Sequence, residues 1–370
     1  MAFEIVRQAP QGAPRLGRLQ TGRGVVETPA FMPVGTHATV KALTPEEVAE
    51  SGAQMILANA FHLYLRPGSE IIARAGGLHA FMGWPGPILT DSGGYQVYSL
   101  ARMRTVDDGG VTFRSPLDGS PHRFTPEGVV DLQRQLDSDV QMPLDVCLGY
   151  PADPADARAA LDQTLRWAER ARARHAAAGS GMLFGIVQGG FDHDLRREAA
   201  QRTAALDFVG YAIGGLSVGE PHDLTLELID ATVAGLPPGP PRYLMGVGGP
   251  PALLEAIARG IDLFDCALPT RVARTGTIFT AAGRINIRNA AYRADLSPPD
   301  AACPCRVCGH TTRAYLRHLF AADEMLGPRL ATYHNLFFLG RLLRDARAAL
   351  REDRYESWRS AVLSAYATAW

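Results

Sequence analysis

Eight short apolar runs recur along the chain up to Phe264, at residues 30–34, 54–58, 87–89, 140–144, 182–187, 211–213, 243–245 and 263–264. Residues 44–51, 126–136, 153–178, 194–205, 224–233 and 251–259 carry helical patterning between them. Strands that alternate with helices imply a parallel sheet, because each crossover returns the chain to the same end. Eight such units over about 250 residues point to an α/β fold of the (β/α)8 TIM-barrel type. A doubly wound open sheet is the alternative. The residues that follow the runs are Thr36, Asn59, Asp91, Asp145, Gln188, Gly214-Gly215, Gly246 and Asp265. Barrel enzymes place their sites at the C-terminal strand ends. Polar or glycine residues delivered there eight times describe one shared site.

The chain has 370 residues, of which 46% are hydrophobic, enough for one large core and an appendage. We expect a single barrel domain over 1–370, with a metal-binding subdomain at about 290–345. The start, Met-Ala-Phe-Glu-Ile-Val-Arg, shows no basic region followed by a long apolar run, and no stretch approaches the length of a membrane span. Clustered cysteines fit a reducing compartment, so a cytoplasmic location without membrane contact is expected. The net charge of −1 hides an asymmetry. From residue 271 onward there are 15 arginines and 8 acids, a balance of +7, against −8 for the rest. A basic C-terminal third suits a polyanion. It also fits a plain arginine bias, since Lys41 is the sole lysine.

Three of the five cysteines lie within six residues, Cys303-Pro304-Cys305-Arg306-Val307-Cys308, and His334 follows later. Three thiolates and an imidazole make a closed tetrahedral zinc set with no open position, hence structural Zn2+. His310 and His318 are nearer, but leave only a short loop. The longer loop to His334 holds a helical stretch at 313–322, which a metal would clamp against the cysteine turn. An incidental thiol cluster is the alternative.

Chemistry concentrates at strand ends. In Thr90-Asp91-Ser92-Gly93-Gly94-Tyr95-Gln96 the glycines let backbone approach a ligand, and Tyr95 can stack on a planar ring. A Gly-Gly turn capped by Asp91 is the plainer reading. Asp265 in Phe264-Asp265-Cys266-Ala267-Leu268-Pro269-Thr270-Arg271 precedes the anion binders Thr270, Arg271 and Arg274. If the barrel brings Asp91 and Asp265 together, the pair suits glycosidic chemistry, one carboxylate at the sugar carbon and the other moving the proton. Asp145, Gln188 and the backbone of Gly214-Gly215-Leu216 can read the edges of a heterocycle. Gln188-Gly189-Gly190 is otherwise a loop.

At these residues the chain resembles the bacterial-type tRNA-guanine transglycosylases. The likeness runs nearly end to end and includes Ile186-Val187-Gln188-Gly189-Gly190, Gly214-Gly215-Leu216-Ser217-Val218-Gly219-Glu220, Tyr243-Leu244-Met245-Gly246-Val247-Gly248 and the Cys-x-Cys-x-x-Cys…His set. The resemblance implies exchange of guanine at wobble position 34 of G-U-N anticodon tRNAs for the 7-deazaguanine preQ1, on the route to queuosine. It implies Asp265 as nucleophile and Asp91 as general acid/base. Ser92, Tyr95, Asp145, Gln188, Gly215, Leu216 and Met245 would bind the base. Gly246, Val247, Gly248, Thr270, Arg271 and Arg274 would meet the tRNA. Zinc would sit on Cys303, Cys305, Cys308 and His334, in a homodimer.

Val218 and Cys147 match the bacterial pattern. Val146 stands where a glutamate is common, although Glu220 is present; Val272 and Thr275 replace asparagines. Thr311 stands where a tryptophan often joins the dimer contact, while Trp84, Lys41, Tyr315 and His318 remain. Two rival readings are a barrel hydrolase of small nucleosides and a non-catalytic RNA-binding subunit. The basic C-terminal third disfavours the first, and the presence of both Asp91 and Asp265 disfavours the second.

Overall fold

The computed structural model describes residues 2–9, 13–99, 104–178 and 180–367. All eight expected strands form, as β1 (Ala30–Pro33), β2 (Ile56–Ala58), β3 (Ile88–Thr90), β4 (Val140–Gln141), β5 (Met182–Leu183 then Gly185–Val187), β6 (Tyr211–Ile213), β7 (Arg242–Leu244) and β8 (Leu263–Cys266). Parallel pairings run β2–β3, β3–β4 and β4–β5, then β5–β6, β6–β7, β7–β8 and β8–β1. A parallel bridge from Val34 to Leu57 joins β1 to β2 and completes the ring. The fold is therefore a (β/α)8 barrel, and the open-sheet alternative is set aside. Most of its strand residues are buried on both faces, which is why these runs read as continuously apolar.

The strand limits differ from expectation in two informative places. The run at 140–144 pairs only over Val140–Gln141. Beyond it the Met142 amide turns to the Gln133 side-chain oxygen at 2.9 Å, so the ladder stops. Asp265 lies inside β8 rather than beyond it, since Asp265 and Cys266 still pair with Met32 and Pro33.

Several elements escaped the periodicity. An antiparallel sheet of Phe3–Gln8, Arg15–Thr21 and Gly24–Thr28 precedes the barrel. Its Phe3, Leu19 and Val26 join Met32, Met55, Leu89, Phe184 and Tyr243 in the barrel-interior core. This sheet closes the lower end: Arg15 donates to Asp262 from Nε at 2.9 Å and from Nη2 at 2.5 Å, both groups fully buried at the foot of β8. The stiff proline turn before β7 supplies two further acceptors, Pro238 O and Pro240 O. A second antiparallel sheet, Arg104–Asp107, Gly110–Arg114 and Pro121–Phe124, is inserted between β3 and β4.

After β8 the helix Leu268–Arg274 and hairpin Thr277–Thr280/Gly283–Asn286 lead into the C-terminal helices. The long helix Leu326–Arg351 presents buried Asn335 to the hairpin and the barrel. Asn335 accepts from Phe279 N at 2.9 Å and donates to Pro269 O and Thr277 O. Among the described residues no helix is long and apolar enough to cross a membrane.

Candidate active site

A cavity of about 480 Å³ opens at the C-terminal strand ends. Every strand-end residue singled out from the sequence lines it: Thr36, Asn59, Asp91, Asp145, Gln188, Gly214, Gly215, Gly246 and Asp265. Ser92, Tyr95, Leu216, Met245 and Arg271 line it too.

Two of its carboxylates occupy different environments. Asp91, 8% exposed, accepts from Asn59 Nδ2 at 2.6 Å and from Ala60 N at 2.9 Å. Burial pushes its pKa up to about 6, the charge of Asp265 adding to this and the donors opposing it. Asp265 accepts from Tyr243 Oη at 2.6 Å and from Gly246 N at 2.9 Å, both on the same oxygen Oδ1. Burial raises its pKa as well, against those two donors. Oδ2 has no such donor among the described residues, so its lone pairs are uncommitted.

A third carboxylate stands on the adjoining wall. Asp145 accepts from Ser92 Oγ at 3.1 Å and from Gln188 Nε2 at 2.7 Å, and burial raises its pKa. A side chain on Gly94 would collide with this carboxylate, and one on Gly215 with the Gln188 amide. Gly215 also has φ +67°, a left-handed conformation that suits glycine. The floor is apolar, with Leu216, Met245, Cys147 and Val218. Burial lifts the Cys147 thiol to about 12, so it is a neutral contact surface. Tyr95 stands 56% exposed at the mouth, where a planar ring can slide beneath it. Such a site can fix a flat polar heterocycle by its edge and face, with a nucleophilic carboxylate and a proton-carrying carboxylate near it.

Other expected contact residues sit lower. Val247 and Thr270 are buried and Gly248 packs on Cys266, leaving Gly246 as the exposed member of that turn. Arg271 is exposed at the rim, whereas Arg274 is half-buried and donates to Thr270 O at 3.0 Å.

The ligand atoms of Cys303, Cys305, Cys308 and His334 all lie within 4.8 Å of one another. Cys305 caps the helix Arg306–His310, its sulfur accepting from Cys308 N. His334 directs Nε2 to Phe279 O at 2.7 Å, which leaves Nδ1 facing the sulfurs of Cys305 and Cys308 at 3.4 and 3.3 Å. That carbonyl fixes the tautomer that a metal needs. The four residues fit a metal site, and the nearer His310 and His318 take no part.

A family model for queuine tRNA-ribosyltransferase matches residues 11–368. A protein of Desulforudis audaxviator named queuine tRNA-ribosyltransferase is 55% identical over 366 residues, covering 99% of this chain and 98% of its own. Proteins of the same name from Caldanaerobacter subterraneus subsp. tengcongensis and Pelotomaculum thermopropionicum are 53% and 54% identical, over 364 and 366 residues. These cover 98% and 99% of this chain, and 97% and 99% of the relatives. The chain belongs to the queuine tRNA-ribosyltransferase family.

Three further positions matter to which the sequence reading gave no role. Tyr243 is fully buried yet holds Asp265; it shares a strand face with Met245 two residues on, and that parity was the available signal. Gln96, half-buried in the cavity wall, hydrogen-bonds Asp91. Arg196 lies on a helix with no sequence mark to separate it from surface arginines. Among the family departures, Val146 is half-buried and its amide donates to Thr164 Oγ1 at 3.0 Å. Trp84 is 3% exposed within its own chain, while Tyr315 and His318 stack on the surface.

Proposed function

We propose that this chain exchanges guanine at position 34 of G-U-N anticodon tRNAs for preQ1 by double displacement, in queuosine biosynthesis. The observation that carries this reading is the pair Asp91 and Asp265 in one cavity beside a wall built for a heterocycle edge. The flipped-out guanosine enters beneath Tyr95. Asp145, Ser92, Gln188 and Gly215 take its edge, and Leu216 and Met245 its faces. The free oxygen of Asp265 attacks C1′ of the ribose. The C1′–N9 bond breaks with its electron pair moving to N9, which takes a proton from Asp91. Guanine leaves while the cut tRNA stays covalently on Asp265. Incoming preQ1 gives its N9 proton to Asp91 and attacks C1′, and the ester bond breaks to restore Asp265.

Gly246, Val247, Gly248, Thr270, Arg271 and Arg274 form the tRNA-facing turn and rim, the buried members through backbone and packing. Zn2+ on Cys303, Cys305, Cys308 and His334 would serve structure alone, since four protein ligands leave no place for substrate. Residues 1–370 act as one catalytic unit, with about 290–345 as its zinc subdomain, and two copies pair through the Tyr315 and His318 face. The test is incorporation of radiolabelled guanine into unmodified tRNA with a G-U-N anticodon. Wild type incorporates label at position 34, and Asp265→Asn does not; preQ1 then competes more strongly than queuine. No incorporation by well-folded protein, with base released from free nucleosides instead, would favour a hydrolase.

A further inference from the structure

Arg196 is fully buried and, among the described residues, hydrogen-bonds backbone oxygens and no carboxylate. Its partners are backbone carbonyls only: Nε to Gly190 O at 2.8 Å, Nη1 to Gly214 O at 2.7 Å and Val187 O at 3.4 Å, and Nη2 to Gly215 O at 3.1 Å. A buried guanidinium without a carboxylate is costly, so its location calls for a reason. Arg196 does not line the cavity, but Gly214, Gly215 and Leu216 do. The carbonyls of Gly214 and Gly215 therefore point away from the ligand, into the guanidinium.

A trans peptide is planar, with N–H and C=O directed oppositely. Pulling those two carbonyls back turns the N–H groups of Gly215 and Leu216 to the cavity side. Neither amide has a protein partner among the described residues. The result is a pair of donors backed by a buried positive charge, an arrangement suited to an oxygen that gains negative charge. A guanine released from its ribose delocalises charge onto its ring carbonyl.

We infer that Arg196 is a positioning residue which aims the Gly215 and Leu216 amides at the carbonyl oxygen of the base. This rests on the base-exchange reading above. The test compares guanine with 6-thioguanine, whose sulfur accepts hydrogen bonds weakly, as competitors of labelled-guanine exchange in wild type, Arg196→Lys and Arg196→Met.

We expect wild type to prefer guanine by about 10- to 100-fold, Arg196→Met to lose most of that preference, and Arg196→Lys to keep part of it. The loss falls on guanine, with 6-thioguanine inhibition changed by no more than about threefold. Equal weakening of both bases, or an unchanged preference in folded variants, overturns the inference and leaves Arg196 a packing residue. If Arg196→Met does not fold, Arg196→Lys decides alone: an unaltered ratio is the refuting result. Absence of exchange in wild type would instead overturn the base-exchange reading.

Discussion

In the proposed reading, Asp91 and Asp265 are the same residue type with opposite tasks. In the proposed first step Asp265 must be ionised and Asp91 protonated. Burial raises the pKa of both, against donors at each, Tyr243 and Gly246 at Asp265 and Asn59 and Ala60 at Asp91, and the charge of Asp265 raises Asp91 further, which favours Asp91 as the member that holds the proton. The expected profile of kcat/KM for tRNA is a bell, falling above about pH 6 as Asp91 loses its proton, and its limbs belong to the coupled pair. Asn59 stabilises the Asp91 carboxylate, so Asn59→Ala should move the alkaline limb to higher pH, as steady-state rates across pH would show. The linkage to folding has a definite sign. A carboxyl whose folded pKa is raised adds stability below its ordinary pKa of 3.8, and that contribution is lost as pH rises through about 6.

At the level of elements, one glycine and one turn set the geometry. Gly94 begins a short helix beneath Asp145, and an added methyl there would displace the carboxylate. Gly94→Ala should raise KM for guanine by about 10- to 100-fold with little change in melting temperature, the signature of lost ground-state binding. The cysteine turn is the other such element. Its zinc would tie the helix Arg306–His310 to the helix Leu326–Arg351 and, through the Phe279 carbonyl, to the hairpin. One zinc per chain should be measured by atomic emission, and chelation should lower the melting temperature by more than about 10 °C, given the large binding energies of closed zinc sites. Zinc-free protein with unchanged melting would remove the metal from the account. These local features were legible to different depths. Asp91, Asp145 and Asp265 stood out because each ends an apolar run. Arg196 did not, since an arginine on a helix announces nothing until the segment it packs against is in place, and Tyr243 offered only its strand parity with Met245. The antiparallel sheet 104–124 was missed because its strands Arg104–Asp107 and Pro121–Phe124 are mostly polar and exposed, and its contribution to the core, Val111, Phe113 and Phe124, forms no long apolar run.

At the scale of the molecule, closure of the ring is what makes the site. Asp91 and Asp265 are 174 positions apart in sequence, yet β3 and β8 bring them to one rim. The alternation of runs and helices carried the barrel, since parallel strands with both faces covered leave continuous apolar segments. It could not reveal the N-terminal sheet as the lower lid, because the Arg15–Asp262 pair that anchors it spans most of the chain. With the lower end shut, the upper mouth is the route for substrate, and in the proposed reading a seated tRNA would shield the intermediate from water. The central claim is that Asp265 carries the tRNA covalently while the bases change. The most direct measurement is a denaturing gel of enzyme mixed with unmodified tRNA, with the adduct mapped by mass spectrometry. We predict a retarded RNA–protein band that localises to Asp265, disappears when excess guanine is added to reverse the step, and never forms with Asp265→Asn. Active exchange with no adduct under trapping conditions, or an adduct on another residue, would contradict the account.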